Sequence, residues 1–289
     1  MPRFGVCAWI YGDAPLDATL GRIAATGFDG VELPGEPDRY SPTDIRRLLA
    51  MHGLAPLALT ASCGYPGTRR DLANPDPDIR KDAAAYVVSC LRFAAEIGAP
   101  IVQMLPSGES RLSPIATRAE EWNWSVEGIQ QAAREAERLQ VRISIEPLNR
   151  YEAYLVTTAE EGIAYVDAVA SPWVGMTLDM FHANLEEPDI AKSILATEAR
   201  LFHVHVADTN RQGLGRGHLD LRAITTALQA LRYAGAIVVE VMPPGPDPFR
   251  AIKDDRSLGI LDGYIRESLS HLREHFAWGR SQGRTRSEG

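Results

Sequence analysis

With 289 residues and 45% hydrophobic content the chain can bury a large core, and a one-domain α/β barrel commonly has about this length. A net charge of −8 and a pI near 5.4 argue against a nucleic-acid partner, because no basic stripe occurs before the last dozen residues. Cys7, Cys63 and Cys90 at unrelated spacings fit free thiols in a reducing compartment, and no signal peptide or membrane span is read, so a cytoplasmic protein is expected.

Along the chain, short apolar runs alternate with longer amphipathic stretches, the rhythm of strands followed by crossover helices. The predicted strands are Phe4–Trp9, Gly30–Leu33, Ala55–Thr60, Ile101–Leu105, Arg142–Glu146, Val174–Asp179, Phe202–Ala207 and Ile237–Val241. Helices are predicted over about 17–26, 43–52, 78–97, 116–139, 158–170, 189–199, 221–233 and 251–275. Ser41-Pro42-Thr43-Asp44 reads as a helix start, and Thr157-Thr158 followed by Glu160 and Glu161 places acids at a positive helix end. Gly27, Gly53 and Gly98 stand where left-handed C-caps are wanted. A unit recurring at about 36 residues predicts a single (β/α)8 TIM barrel over 1–278, with a flexible polar tail over 279–289. The rival architecture is an open doubly wound sheet, whose ligands would gather at one switch point.

Four predicted strands end in metal-binding side chains: Glu146, Asp179, His205 and Glu240. In a closed parallel barrel these would meet at one mouth, since catalytic groups there project from strand C-termini. Three carboxylates and one imidazole form a hard, oxygen-rich set suited to one divalent ion, Mn2+ above Co2+ or Mg2+, rather than a structural zinc. Glu146 at the end of a buried strand must meet a cation or several hydrogen bonds; the plain alternative is an ion pair with an arginine. His203 faces the interior one layer below His205 and reads as a hydrogen-bonded core histidine.

The words Glu-Pro-Leu-Asn-Arg-Tyr-Glu (146–152), Asp-x-Phe-His-x-Asn-x-Glu-Glu (179–187) and His-Val-Ala-Asp-x-Asn-Arg (205–211), with Gly-x-Gly-His-x-Asp after them, resemble those of the xylose-isomerase-like sugar epimerases. Within that family the chain is most similar to the ketose 3-epimerases acting on tagatose and psicose, and nearest to 5-keto-L-gluconate epimerase-like proteins. The match spans residues 143–242; the first half agrees in outline only. The resemblance implies a metal-dependent isomerase that inverts carbon 3 of a free ketose or keto-sugar acid through a metal-stabilised cis-enediolate. It implies Glu146 and Glu240 as the paired acid/base groups and Glu152, His182 and Arg211 as substrate contacts. It further implies a homo-oligomer, dimer or tetramer.

Bland readings accompany the lesser features. Glu152, His182 and Arg211 are each ordinary loop residues when taken singly. Glu32 is second to the metal or structural. Trp9, Tyr11, Cys63, Trp122 and Trp124 are open between pocket lining and core. Gly213-Leu-Gly-Arg-Gly217 lacks a phosphate-loop lysine and reads as a flexible lid. Lys81, Lys192 and Lys253 all fall in helical segments, which argues against a Schiff-base aldolase. His52 is the only histidine before residue 182, which argues against a metal-cluster endonuclease on the same superfold. An aldose–ketose isomerase, a keto-inositol isomerase or dehydratase, a C-glycoside-cleaving lyase and a non-catalytic sugar-binding barrel stay open.

Overall fold

In the computed structural model, which describes residues 2–64, 66–245 and 247–284 and their side chains as far as Ala277, eight parallel strands close into one barrel. They are β1 (Phe4–Cys7), β2 (Gly30–Pro34), β3 (Ala55–Ala61), β4 (Ile101–Met104), β5 (Arg142–Ile145), β6 (Val174–Asp179), β7 (Leu201–Val206) and β8 (Ile237–Val239). β8 pairs with β1 through Phe4 and Ile237, so no edge is free and the open-sheet alternative falls.

Around the barrel lie α1 (Leu16–Thr26), α2 (Pro42–His52), α3 (Pro77–Ile97), α4 (Arg118–Leu139), α5 (Ala159–Val169), α6 (Met180–Glu186), α7 (Ile190–Thr197), α8 (Leu221–Ala230) and α9 (Asp255–Arg284). The helix starts follow local chemistry. Ser41 caps α2 ahead of Pro42, and Thr158 caps α5 by accepting from the Glu161 amide. Gly27, Gly53 and Gly98 end α1, α2 and α3 at φ 86°, 66° and 81°, as expected. Gln140 and Ala170 adopt the same left-handed cap at φ 57° and 55°, where no glycine signals it.

Three differences from the sequence reading bear on function. β1 ends at Cys7, and Ala8–Tyr11 turn over the barrel mouth as a 3-10 helix that carries Trp9 toward Glu240. Glu146 and Glu240 lie just past β5 and β8, yet their amides still bond to Met104 and Val206 carbonyls at 3.0 Å, so the ladder holds both backbones. The short α6 was not foreseen; it starts directly from β6, with Asp179 Oδ1 accepting the Phe181 amide at 2.7 Å. At the other end, α9 runs on to Arg284, past the predicted helix end near 275, while 285–289 of the predicted tail lie outside the described residues.

The barrel interior is polar toward its C-terminal end. Glu32, Gln103, Ser144, Thr177, His203 and His205 are each no more than 1% exposed. Burial of that kind is tolerable only with partners. Ser144 and Thr177 hydroxyls lie 2.7 Å apart, and Thr60 donates to Glu32 at 2.5 Å. Apolar packing is assigned to the layer between strands and helices, where Val31, Leu59, Ile143 and Val204 belong to one continuous core.

Candidate active site

Glu146, Asp179, His205 and Glu240 converge at the C-terminal mouth, each offering one ligand atom within 4.8 Å of the others, and all are buried. β6 and β7 are in register with Asp179 opposite His205, which puts these two side by side. Glu146 and Glu240 arrive from either side: His205 Nδ1 is 3.1 Å from Glu146 Oε1 and 3.5 Å from Glu240 Oε2. The four residues expected to share one centre therefore do meet.

Arg211 and His182 close the cluster toward the cavity. Arg211 Nη2 donates to Glu240 Oε2 at 3.0 Å, and the guanidinium lies over the Phe181 ring at 4.7 Å. His182 Nδ1 faces the Asn149 amide nitrogen at 2.7 Å and the Asn149 backbone N–H at 3.3 Å. Both are donors, as is Arg211 Nη1, which lies 3.3 Å from Nε2, so donors flank both nitrogens of the ring. Burial and then Arg211 hold His182 well below its usual pKa, so it is a neutral imidazole. Glu152 accepts from the same Asn149 at 2.8 Å and sits 3.9 Å from Arg211 Nη1.

The electrostatics suit a cation. Burial pushes the Glu146 and Glu240 carboxyls up, and Asp179 up to about 7, against the pull of His205 and Arg211. Burial alone would lower His205, but Glu32 and Glu240 raise it well above its usual value. Asp179 Oδ2 is buried with no hydrogen-bond partner, although Oδ1 is engaged at the start of α6. An orphaned carboxylate oxygen among two more carboxylates and an imidazole nitrogen is a donor set that a hard divalent ion satisfies. These residues fit the metal that the sequence suggested.

Beside the cluster opens a cavity of about 260 Å³, lined on its polar side by Gln103, Glu109, Glu152, His182 and Arg211. Its size is below the range of ~300–1,000 Å³ common for drug-sized ligands, which suits one small molecule. Trp9 walls one side, donating from Nε1 to Glu240 Oε1 at 2.9 Å while its ring stacks on Phe249 with centroids 6.3 Å apart. Of the other aromatic candidates, Tyr11 is buried against Asp262, Trp122 packs on Tyr165, and Trp124 lies under Arg80; none lines the cavity. Cys63 belongs to a small core cluster with Leu105, Leu148 and Ala153 instead.

Sequence reasoning missed Gln103 and Glu109. Gln103 donates to Glu146 Oε2, and it was legible as a polar residue at an inward position of an apolar strand. Glu109 comes from the loop after β4, which carries no motif. The glycine-rich segment 213–217 is also corrected. It is pinned to α9, with Leu214 N–H donating to Ser268 and Arg216 to Glu267, and none of its residues lines the cavity.

The profile described as "Xylose isomerase-like TIM barrel" matches residues 20–275. The chain is 34% identical over 228 residues to the D-psicose 3-epimerase of Ruminiclostridium cellulolyticum, covering 76% of each chain. It is 27% identical to the 3-dehydro-D-guloside 4-epimerase of Escherichia coli, over 80% of this chain and 89% of that one. Among solved structures, that of D-psicose 3-epimerase with D-tagatose from Clostridium cellulolyticum H10 superposes with a TM-score of 0.83 at 28% identity, covering 94% of this chain and 98% of that one.

Proposed function

The chain belongs to the xylose isomerase-like TIM-barrel family, and on that premise we propose that it is a sugar epimerase that uses one divalent metal ion to invert carbon 3 of a free ketose. The observation that carries the reading is that Glu146 and Glu240, from two different strands, both reach His205 Nδ1 beside a sugar-sized cavity. A divalent ion held by Glu146, Asp179, His205 and Glu240, best matched by Mn2+ with Co2+ or Mg2+ as substitutes, supplies Lewis-acid stabilisation of the charge that develops on the substrate carbonyl oxygen.

The chain's own groups do the rest. One of Glu146 and Glu240 removes the proton from carbon 3, and the other delivers a proton to the opposite face. Arg211 steadies Glu240 and lines the cavity, where its positive charge offsets negative charge on the substrate. Neutral His182, held between Asn149 on one side and Arg211 on the other, contacts a sugar oxygen at the cavity wall. Glu152 accepts a sugar hydroxyl, and the Trp9–Phe249 stack keeps bulk water from the reacting carbon.

A neutral sugar is favoured over a keto-acid or a phosphate. Arg216 pairs with Glu267 at 2.6 and 2.8 Å away from the cavity and so does not offer its charge to a substrate carboxylate. Arg70 pairs with Glu36 at 2.7 and 2.8 Å. Glu109 and Glu152 add negative charge to the wall, which an anionic tail would oppose. The D-psicose 3-epimerase relative supports carbon 3, whereas the 3-dehydro-D-guloside 4-epimerase makes carbon 4 the competing position.

Incubating the protein with Mn2+ and each ketohexose, followed by chromatography, tests the reading. A carbon-3 epimer is expected; a carbon-4 epimer, an aldose or an enone would overturn it in favour of the 4-epimerase, isomerase or dehydratase. Exposed Leu112, Ile115 and Tyr151, on neighbouring loops joined by the Ser110 amide and the Glu152 carbonyl, are surfaces that a homo-oligomer would cover. Three buried free cysteines suit the reducing cytoplasm, and no helix among the described residues is long and apolar enough to cross a membrane.

A further inference from the structure

We infer that Glu32 is a positioning residue for the metal centre: it accepts the Nε2–H of His205 and so reserves the Nδ1 lone pair for the cation. The inference rests on the metal-site reading above. His205 has two different sides. Nδ1 faces Glu146 at 3.1 Å and Glu240 at 3.5 Å, while Nε2 faces Glu32 Oε2 at 3.1 Å. With Nδ1 serving as a ligand, the neutral ring keeps its one hydrogen on Nε2, where Glu32 is the strong acceptor in reach. Cys7 Sγ, the alternative neighbour, is 3.9 Å away and a weak acceptor.

The carboxylate is itself held rigidly. It comes from β2, is 0% exposed, and takes the Thr60 hydroxyl on Oε1 at 2.5 Å and His203 Nε2 on Oε2 at 2.6 Å. His203 Nδ1 is buried with no hydrogen-bond partner, so the hydrogen of that ring also belongs on Nε2, donated to Glu32. The two imidazole rings stand at 82° with centroids 4.9 Å apart and converge on one oxygen. A carboxylate behind a ligating histidine fixes the ring plane and raises ligand basicity, and its loss typically weakens metal binding by ~10–100-fold. A merely structural Glu32 would need only His203 and Thr60; the His205 contact is what connects it to the centre.

Mn2+ titration of chelator-stripped full-length protein, with free Mn2+ read by electron paramagnetic resonance, tests this alongside circular dichroism. Glu32→Gln should fold as wild type and bind Mn2+ ~10–100-fold more weakly. Thr60→Val, which only loosens the Glu32 carboxylate, should lose less than ~10-fold. Should Glu32→Gln fail to fold, the histidine 15N spectrum of Mg2+-loaded wild type decides: His205 hydrogen on Nε2 is expected, and hydrogen on Nδ1 overturns the inference. Tight Mn2+ binding by wild type with equal affinity in a folded Glu32→Gln protein also overturns it while leaving the metal site standing. Absence of Mn2+ binding by wild type removes both.

Discussion

Arg211 and Glu240 are joined by the 3.0 Å contact between Nη2 and Oε2, and the segment just past Glu240 is tied back to Arg211, whose carbonyl accepts the Met242 amide at 2.7 Å. The backbone at Arg211 is left-handed, φ 57°, a conformation that costs about 1–2 kcal/mol for a residue with a side chain. A lysine could keep the charge but not the fork that reaches Glu240 with one nitrogen and lies 3.3 Å from His182 with another. Arg211→Lys should therefore lower kcat by ~10²–10³-fold, the scale of one lost charge-stabilising donor, with little change in melting temperature. Steady-state kinetics beside thermal melts check it.

Removing the metal should abolish turnover, and adding Mn2+ or Co2+ should restore it, because on the proposed mechanism the ion stabilises the charge that develops on the substrate carbonyl oxygen. Asp179→Asn should weaken Mn2+ binding more than it lowers the melting temperature, since Oδ2 has no hydrogen-bond partner. Full activity in a sample shown by elemental analysis to be metal-free would falsify the metal reading.

Inversion at one carbon by two opposed acids should exchange that proton with solvent. In D2O the ketose should gain deuterium at carbon 3 as its epimer forms. Glu146→Gln and Glu240→Gln should each reduce net epimerisation by ~10²–10⁴-fold, the usual contribution of a positioned acid or base. One of the two variants should still exchange label into the starting sugar. Mass spectrometry and proton NMR distinguish this from label at carbon 1 or carbon 4.

Asp208 gives the acid side of the stability profile. Burial opposes its charge, but amides of Gly217, Thr209, Leu219 and Gly215 hold its carboxyl below the usual range. A depressed carboxyl contributes stability that is fully present above its unfolded value, ~3.9, and is lost as pH falls through the lower folded value. Asp208→Asn should cost about 2–3 kcal/mol at neutral pH, the scale of a buried charged hydrogen-bond acceptor. Denaturant melts across pH should show that gap narrowing as pH drops below ~4. A gap that stays constant to pH 2 would contradict the assignment.

Truncation from residue 280 onward should leave activity and melting temperature within a few degrees of the full chain. Among the described residues, those by which α9 packs on the core, Leu261, Tyr264, Ile265, Leu269, Leu272 and Phe276, all precede the cut. A large loss of either property would mean that the end of the chain docks on the barrel or on a second copy.

The sequence by itself determined the barrel, the strand-end positions of Glu146, Asp179, His205 and Glu240, and the glycine caps of α1 to α3. These follow from spacing, period and turn chemistry, which act between residues close in the chain. Its boundaries were less secure where tertiary contacts intervene: Trp9 leaves β1 for Glu240, and α6 starts from Asp179, too short for a periodic signal. What only the tertiary structure decided lies across the barrel. The side of His205 that faces Glu32, Gln103 behind Glu146, Glu109 in the cavity wall and Arg216 bound to α9 join residues from 10s to more than 100 positions apart. Such pairs depend on strand register and closure, and a one-residue slip would turn each side chain to the opposite face, so no local pattern can carry them.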